Sequence, residues 1–167
     1  GTWLALESQR DAPLDRDAFY TTALTTIAVL EPGELANSDR MIEISGAMAM
    51  AAIHYAFDQY RNFGHQPPNL FAEIWDDYVT LLEGYPESRR HQRIHMGHNC
   101  WVLPEERRFL TPKIMQGTAL LGSQDQILER LFELEQAGLK QVMTLPNFDT
   151  RYASLKTLGK EIIPFLS

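Results

Sequence analysis

The densest group of side chains able to do chemistry lies in the stretch "HQRIHMGH", which spans residues 91–98. His91, His95 and His98 follow one another at intervals of four and three residues, so an unbroken helix would place all three on one face. Three imidazoles on one face can hold a zinc ion. However, no acidic residue stands where an H-E-x-x-H motif has its general base, and we expect Gly97 to end the helix before His98. We therefore expect a solvated, basic surface and no metal ion, with a metal site as the less favoured alternative.

Two further residues of reactive type stand apart from this group. Cys100 is the only cysteine, which excludes an intramolecular disulfide and is typical of a reducing compartment. The sequence places no base beside it, so we expect it to be buried rather than nucleophilic. His54 lies among the alanines and methionines of "ISGAMAMAAIHYAF". We expect it to be a core or interface histidine with its hydrogen bonds satisfied.

Length and composition indicate one globular domain over residues 1–167. The chain is long enough to bury one sizeable core, and its 44% hydrophobic and 22% charged residues are ordinary for a globular protein. The formal net charge of -7 offers no basic footprint for nucleic acid. The longest apolar run is too short for a bilayer, and the N-terminus has no signal-peptide pattern. We expect a soluble, cytoplasmic protein that binds neither nucleic acid nor membrane.

The elements that must position these side chains alternate between strand and helix. The uncharged stretch from Tyr20 to Leu30 is rich in threonine, isoleucine and valine, which predicts a strand covered on both faces, as in a parallel sheet. Apolar residues at steps of three and four predict helices over residues 39–63 and 70–82. Further strands are predicted around residues 3–6 and 114–121. The pattern indicates an α/β fold with parallel strands.

The last third of the chain carries the clearest local signals. Ser123 and Gln126 have the spacing of a capping box, which begins a helix. Its predicted buried stripe contains Ile127, Leu128, Leu131, Phe132 and Leu134. Gly138 fits the left-handed position that ends such a helix. The stretch "LKQVMTL" then predicts a short strand, and Asp149 is the expected cap of a last helix.

The segment "LLGSQDQILERLFELEQAGLKQVMTLP" resembles the closing helix and last strand of the luciferase-like monooxygenase superfamily. In that family a glycine and a small capping residue lead a helix that ends in Ala-Gly, and here these are Gly122, Ser123, Ala137 and Gly138. The stretch "DAFYTTALTTIAVLEPGE" is similar to a strand that follows a helix near the middle of such proteins. The resemblance covers most of the chain and implies an α/β, helix-rich fold of the (β/α)8 TIM-barrel type.

The resemblance implies an oxidoreductase or monooxygenase that uses FMN or a deazaflavin (coenzyme F-420) and acts on a small organic substrate. A complete barrel needs about 250 residues, so 167 residues correspond to its C-terminal portion. In the family, the residues that grip the flavin lie largely in earlier strands. We therefore expect the isolated chain to bind flavin weakly or not at all. We also expect it to form homo-oligomers or to pair with a missing barrel half.

The resemblance also selects candidate binding residues, although it assigns no catalytic residue. Long insertions over a barrel mouth carry binding side chains, so Arg93, His95 and His98 are candidates for contacts with the cofactor or substrate. An arginine can meet an anionic group, and a histidine can move a proton. Asn147 is the fourth candidate, because it follows the carboxyl end of the last predicted strand.

An alternative to an enzyme is a partial barrel without catalytic activity. An open array of strands and helices leaves strand edges and apolar inward faces exposed. Such a chain would associate with itself or bind a partner.

Overall fold

The computed structural model describes residues 7–15 and 17–166. The strand predicted around residues 3–6 lies outside the described residues. Four short strands occur in the described ranges: β1 (Thr22–Thr25), β2 (Ile27–Val29), β3 (Leu120–Gly122) and β4 (Gln141–Thr144). β1 pairs in parallel with β4, and β2 pairs in parallel with β3. The strand predicted over residues 20–30 is thus confirmed as two consecutive pieces. Its predicted cover on both faces is wrong for β1, where Thr22 and Leu24 are exposed.

β1 and β2 form one extended stretch, because only Thr26 separates them. Carbonyl groups of neighbouring strand residues point to opposite edges of the strand. The Thr25 carbonyl accepts a hydrogen bond from the Leu145 amide at 2.8 Å, whereas the Thr26 carbonyl accepts one from the Leu120 amide at 3.0 Å. β4 and β3 therefore flank the stretch on opposite edges.

This strand order gives the predicted α/β class, but it does not show a TIM barrel. Consecutive strands of a (β/α)8 barrel are neighbours, so β4 would lie beyond β3. Here the β1–β2 stretch lies between them, and no sheet closes among the described strands. The observed architecture is a helix-rich α/β arrangement with parallel strand pairs.

The helices form two groups along the chain. Between β2 and β3 lie α1 (Asp39–Met41), α2 (Ala47–Phe63), α3 (Trp75–Glu83), α4 (Glu87–His95) and α5 (Pro112–Thr118). A π turn at Ile42–Gly46 joins α1 to α2. α6 (Gln124–Gln136) follows β3, and α7 (Arg151–Glu161) follows β4. Short 3-10 turns lie at Asn69–Phe71, Arg107–Phe109 and Ile163–Phe165.

The side chains of the β1–β2 stretch divide the core into two parts. Ala28 packs into the larger cluster, with buried residues of α2, α3 and α5 that include Met50, Tyr78 and Met115. Its neighbour Val29 packs into a smaller cluster, whose members are Ile127 of α6, Leu158 of α7 and Ile162. Successive strand residues point to opposite faces, so the first helical group covers one face and α6 with α7 covers the other.

The sheet face that carries Ala28 is not covered by helices near the amino ends of β1 and β4. Leu24 lies opposite Met143 in the β1–β4 pair, and these side chains are 56% and 49% exposed. Thr22 and Gln141, the next pair on this face, are exposed and share a hydrogen bond of 3.0 Å. The sheet therefore presents an uncovered apolar pair at the amino end of its strands.

Local sequence signals set several helix ends. The hydroxyl of Ser123 accepts from the amide of Gln126 at 3.4 Å, and the Gln126 side chain accepts from the amide of Ser123 at 2.9 Å. The predicted capping box is therefore confirmed. Gly138, which follows the end of α6, has φ of +97°, as predicted for a left-handed terminus. α1 begins at Ser38, whose hydroxyl accepts from the Met41 amide at 3.2 Å.

Other predicted details differ in the structure. The strand predicted around residues 114–121 is confirmed only at its end, where β3 begins at Leu120. Residues 112–118 form helix α5, because Thr111 caps its first turn and Pro112 occupies the first helical position. Thr150, not Asp149, precedes α7, and its side chain makes no capping hydrogen bond. Phe132 is 61% exposed instead of buried. It lines an apolar groove of about 460 Å³ between α6 and the end of the chain.

No helix in the described ranges combines the length and the apolar character needed to cross a bilayer.

Candidate functional site

A cavity of about 370 Å³ lies beside the carboxyl end of β4. Three parts of the chain line it: the π turn, the segment between α4 and α5, and the segment between β4 and α7. The lining residues with polar or aromatic side chains are Glu43, Cys100, Trp101, Arg107, Asn147, Asp149 and Thr150. Ligand sites of α/β proteins lie outside the carboxyl ends of parallel strands, which makes this cavity the leading candidate site.

Asn147 is the fixed polar group of the cavity. It is only 4% exposed, and its amide nitrogen donates to the carbonyl oxygen of Glu43 over 2.6 Å. The hydroxyl of Thr150 donates to the same carbonyl at 3.4 Å. Among the described residues no donor pairs with the amide oxygen of Asn147. That oxygen is available as an acceptor for a bound molecule.

A tight turn after α4 brings Cys100 and Trp101 to the cavity. Gly97 has φ of +74°, and a Cβ atom there would lie 2.7 Å from Nε1 of Trp101. The backbone amides of Cys100 and Trp101 both donate to the Gly97 carbonyl, at 2.8 and 3.0 Å. Any side chain at residue 97 would meet the indole, so glycine is required for this wall.

The charge of the cavity wall is predominantly negative. Two acidic residues, Glu43 and Asp149, are among the lining residues, and Arg107 is the one basic residue there. The Arg107 guanidinium lies 2.5 Å from a carboxylate oxygen of Asp39, whose side chain is 92% exposed, so this neighbour compensates its charge in part. The lining therefore holds more acidic than basic residues.

The structure separates Asn147 from the other three predicted site residues. Arg93, His95 and His98 are not among the residues that line the cavity. Arg93 is 8% exposed and contacts a carboxylate oxygen of Glu105, while its guanidinium lies 5.1 Å from the centre of the Tyr85 ring. The Arg93 guanidinium is therefore already paired with groups from the region between β2 and β3.

The histidines of the "HQRIHMGH" stretch do not share one helix face. α4 ends at His95, and Gly97 turns the chain before His98, as the sequence predicts. The rings of His95 and His98 lie 5.6 Å apart, and His98 stacks on His54 at 6.0 Å. Burial lowers the pKa of His98, and the neighbouring His54 and His95 lower it further. Within the described ranges no group of three or more histidine, cysteine or acidic residues is arranged to hold a metal ion.

A buried polar cluster lies behind this turn. His54 and Glu106 are 3% and 1% exposed, and Nε2 of His54 lies 3.1 Å from a carboxylate oxygen of Glu106. The Tyr78 ring stacks beside His54 at 6.3 Å. Burial raises the pKa of Tyr78 far above its usual value, and the charge of Glu106 adds to the effect. Nδ1 of His54 and the Tyr78 hydroxyl have no hydrogen-bond partner in the part of the chain that the structure describes. The sequence predicted a histidine with all its hydrogen bonds satisfied, and this holds for only one of the two ring nitrogens of His54.

Sequence reasoning missed most of this geometry. Glu43 belongs to a π turn, which no local motif announces, and Arg107 reaches the cavity through a 3-10 turn. Cys100 is partly exposed at the cavity wall, contrary to the expectation of burial. One sequence signal for this wall was available. Glycine readily adopts positive φ and often marks a tight turn, so Gly97 shortly before Trp101 could have predicted a turn that carries the tryptophan.

Comparison of the chain with known protein families, with curated proteins and with solved structures gave no significant match. The class of protein is therefore defined by the fold and the cavity alone: a helix-rich α/β protein with a cavity beside the carboxyl end of β4. Within that cavity, a lone thiol without a neighbouring base is not an activated nucleophile. The arrangement can bind and orient a small molecule, and a cofactor would have to supply redox chemistry.

Proposed function

We propose that this chain is part of a luciferase-like oxidoreductase or monooxygenase that uses FMN or a deazaflavin to act on a small organic substrate. The observation that carries the proposal is the position of the cavity at the carboxyl end of β4, with Asn147 fixed in its wall. Enzymes built on parallel strands and helices place substrate and cofactor at that edge. In this proposal the cavity forms the substrate side of the site.

The distribution of helices over the sheet supports the barrel form of the proposal in part. α6 and α7, each of which follows a strand, cover one face. The long helical group between β2 and β3 covers the carboxyl half of the other face. A (β/α)8 barrel has its strand-following helices outside and its long insertions over the mouth. The positions of α6 and α7 are consistent with the outside of such a barrel. A barrel interior is filled by side chains of its own strands, so the barrel form would require the first helical group to move from the inner face of the sheet to the mouth.

The barrel form also requires a strand order different from the one in the structure. β4 would have to leave β1 and take a position beyond β3. The β1–β4 ladder is four residues long, and Leu24 and Met143 on one of its faces are exposed. A short, uncovered ladder is the part of the sheet that further strands would displace most easily.

Flavin binding tests the proposal directly. FMN and the deazaflavin should each be titrated into this chain and into the native protein encoded by its complete reading frame, with quenching of flavin fluorescence as the measurement. We expect micromolar or tighter binding of one of the two flavins by the native protein and weaker binding by this chain. If the native protein binds neither flavin at about millimolar concentration, the redox proposal is wrong.

The predicted binding residues enter a second arm of this experiment. If Arg93 and His95 contact cofactor or substrate, Arg93→Ala and His95→Ala in the native protein should weaken flavin binding or lower turnover. The melting temperature separates the two roles of Arg93, because loss of its Glu105 contact alone would destabilise the protein without changing the flavin dissociation constant.

The exposed pair on the sheet favours a second candidate function, a partial barrel without catalysis that associates with itself. Leu24 and Met143 form an apolar pair next to an edge of β4 that pairs with no other described strand, and such surfaces promote association between chains. Sedimentation at micromolar concentration should then show a dimer or larger species. Leu24→Lys should shift the chain towards monomer, whereas Thr22→Lys, at an exposed position on the same face, should not. A wild-type monomer with no flavin affinity in the native protein would contradict both functions.

A further inference from the structure

We propose that the cavity beside β4 binds an organic cation, a protonated amine carried on an apolar or aromatic body. The inference rests on the proposed function only in taking this cavity as the substrate side of the site. It adds the chemical class of the substrate, which the fold alone leaves open.

The hydrogen-bonding groups of the cavity favour a donor. The amide oxygen of Asn147 is free of donors from the described residues, and the side chain is held in place by the 2.6 Å bond from its nitrogen to the Glu43 carbonyl. The carboxylates of Glu43 and Asp149 can only accept hydrogen bonds when ionised. An ammonium group carries three donors and no acceptor, so it complements these groups.

The charges of the lining point the same way. Carboxylates outnumber cations among the lining residues, and the one cation there, Arg107, is held 2.5 Å from a carboxylate oxygen of Asp39. An anionic ligand would have to compete with Asp39 for that guanidinium and would also face two like charges. A phosphate or carboxylate group is therefore disfavoured here, whereas the net negative charge of the lining attracts an ammonium group.

The remaining walls suit the body of such a ligand. Ile42 and Val102 contribute apolar surface, and the indole of Trp101 is 55% exposed. Tryptophan is the best of the aromatic side chains at attracting a cation to its ring face. A cavity of about 370 Å³ is at the small end of the range for ligand pockets, which fits an arylalkyl amine of about ten heavy atoms.

Three ligands of similar shape test the charge preference: 2-phenylethylamine, 2-phenylethanol and phenylacetate. Each should be titrated into the chain without flavin, with Trp101 fluorescence and calorimetry as measurements. We expect the amine to bind at least about tenfold more tightly than the alcohol, and phenylacetate to bind least. Equal affinity for the amine and the alcohol, tighter binding of phenylacetate, or no binding of any of the three would overturn the inference.

Variants locate the binding. Asp149→Asn and Glu43→Gln should each weaken amine binding about fivefold or more, and Trp101→Leu should weaken all three ligands. Glu129→Gln, an exposed position on α6 away from the cavity, is the matched control and should leave affinity unchanged. If amine affinity is the same in both cavity variants and in the control, the amine binds elsewhere and the inference is wrong.

The result is independent of the flavin experiment. Amine binding by a native protein that binds no flavin would remove the oxidoreductase proposal and keep the amine site. Flavin binding without any preference for the amine would keep the oxidoreductase and remove this substrate class.

Discussion

The side-chain nitrogen of Asn147 lies 2.6 Å from the carbonyl oxygen of Glu43, a residue 104 positions earlier in the chain. This hydrogen bond ties the segment after β4 to the π turn between α1 and α2. It therefore joins two of the three chain segments that form the candidate site, and it depends on one buried side chain.

Removal of this hydrogen bond should destabilise the protein. Asn147→Ala deletes the shorter of the two side-chain hydrogen bonds to the Glu43 carbonyl and leaves the longer one from Thr150, so we expect a loss of about 1–2 kcal/mol in the free energy of unfolding. Urea denaturation measures it. Asn62→Ala, at an exposed position of α2, is the control and should change stability little. Equal stability of both variants would show that the bond does not form in solution.

The capping box of α6 makes a second prediction. Ser123→Ala removes the acceptor for the Gln126 amide, which should lower stability by about 1 kcal/mol. Thermal unfolding followed by circular dichroism is a suitable measurement. Ser88→Ala replaces an exposed serine inside the first turn of α4 that makes no side-chain hydrogen bond among the described residues, so its midpoint should not fall. A wild-type midpoint for Ser123→Ala would contradict the cap.

Two glycines should respond to the same substitution in opposite directions. Gly138 has φ of +97°, so Gly138→Ala should cost about 1 kcal/mol because of left-handed strain. Gly159 lies inside α7, and a Cβ atom added there would meet no described atom within 4 Å, so Gly159→Ala should stabilise the protein by up to about 1 kcal/mol. Chemical denaturation of the pair decides the point. Changes of the same sign would contradict either the left-handed conformation of Gly138 or the helical position of Gly159.

Acid stability should depend on Glu34. Its carboxylate accepts hydrogen bonds from Arg40, Ser38 and the amide of Glu31, and the Arg40 contact above all lowers its pKa from 4.5 to about 2. A pKa that is lower in the folded state gives stability that is complete above about pH 4.5 and is lost as the pH falls towards 2.

The variant Glu34→Gln tests this dependence. It should be less stable than wild type by about 2 kcal/mol at pH 7, and the two proteins should converge near pH 2. Urea titrations at several pH values provide the comparison. Glu31→Gln is the control, because Glu31 lies 3.8 Å from Arg40 and its side chain is 73% exposed. A difference between wild type and Glu34→Gln that stays constant with pH would contradict the assignment.

The strand order can be tested with an engineered disulfide. Leu24 and Met143 are register partners, so Leu24→Cys with Met143→Cys in a Cys100→Ser background should form an intramolecular disulfide on mild oxidation. Non-reducing electrophoresis and mass spectrometry detect it. In the control, Ala23→Cys replaces Leu24→Cys, and its side chain points to the other face. Failure of the Leu24 pair to cross-link would favour the barrel order, in which β4 does not lie beside β1.

What the sequence predicted correctly depends on neighbouring residues. Ser123, Gln126 and Gly138 define α6 through contacts within a few positions, and the stretch from Tyr20 to Leu30 has the β-branched composition of a strand. Its lack of charge predicted cover on both faces, which fails at Thr22 and Leu24 because no described helix packs there. The strand order could not be predicted from the sequence, because pairing depends on which strand edges meet in the folded chain. α5 was misread as a strand, since its apolar residues outweighed the start signal of Thr111 followed by Pro112.

The site was predictable only at Asn147, which follows a strand end. Fifty-two positions separate His54 from its partner Glu106, and no spacing rule connects them. Arginine often contacts ligands, but the Arg93 guanidinium already contacts Glu105 and lies over the Tyr85 ring. A sequence shows which groups are reactive, whereas their availability is decided by neighbours that only the fold provides.

The π turn at Ile42–Gly46 also sets the phase of the helix that follows it. A π turn accommodates one more residue than an α turn, and each residue of an α-helix advances the chain by about 100°. Loss of a single residue from this turn would therefore rotate α2 by more than a quarter of a revolution. Met50, Ile53 and Phe57 would leave the core together. We therefore expect an insertion or deletion in this turn to be tolerated far less than a substitution. The length of the turn determines which residues of α2 face the larger core.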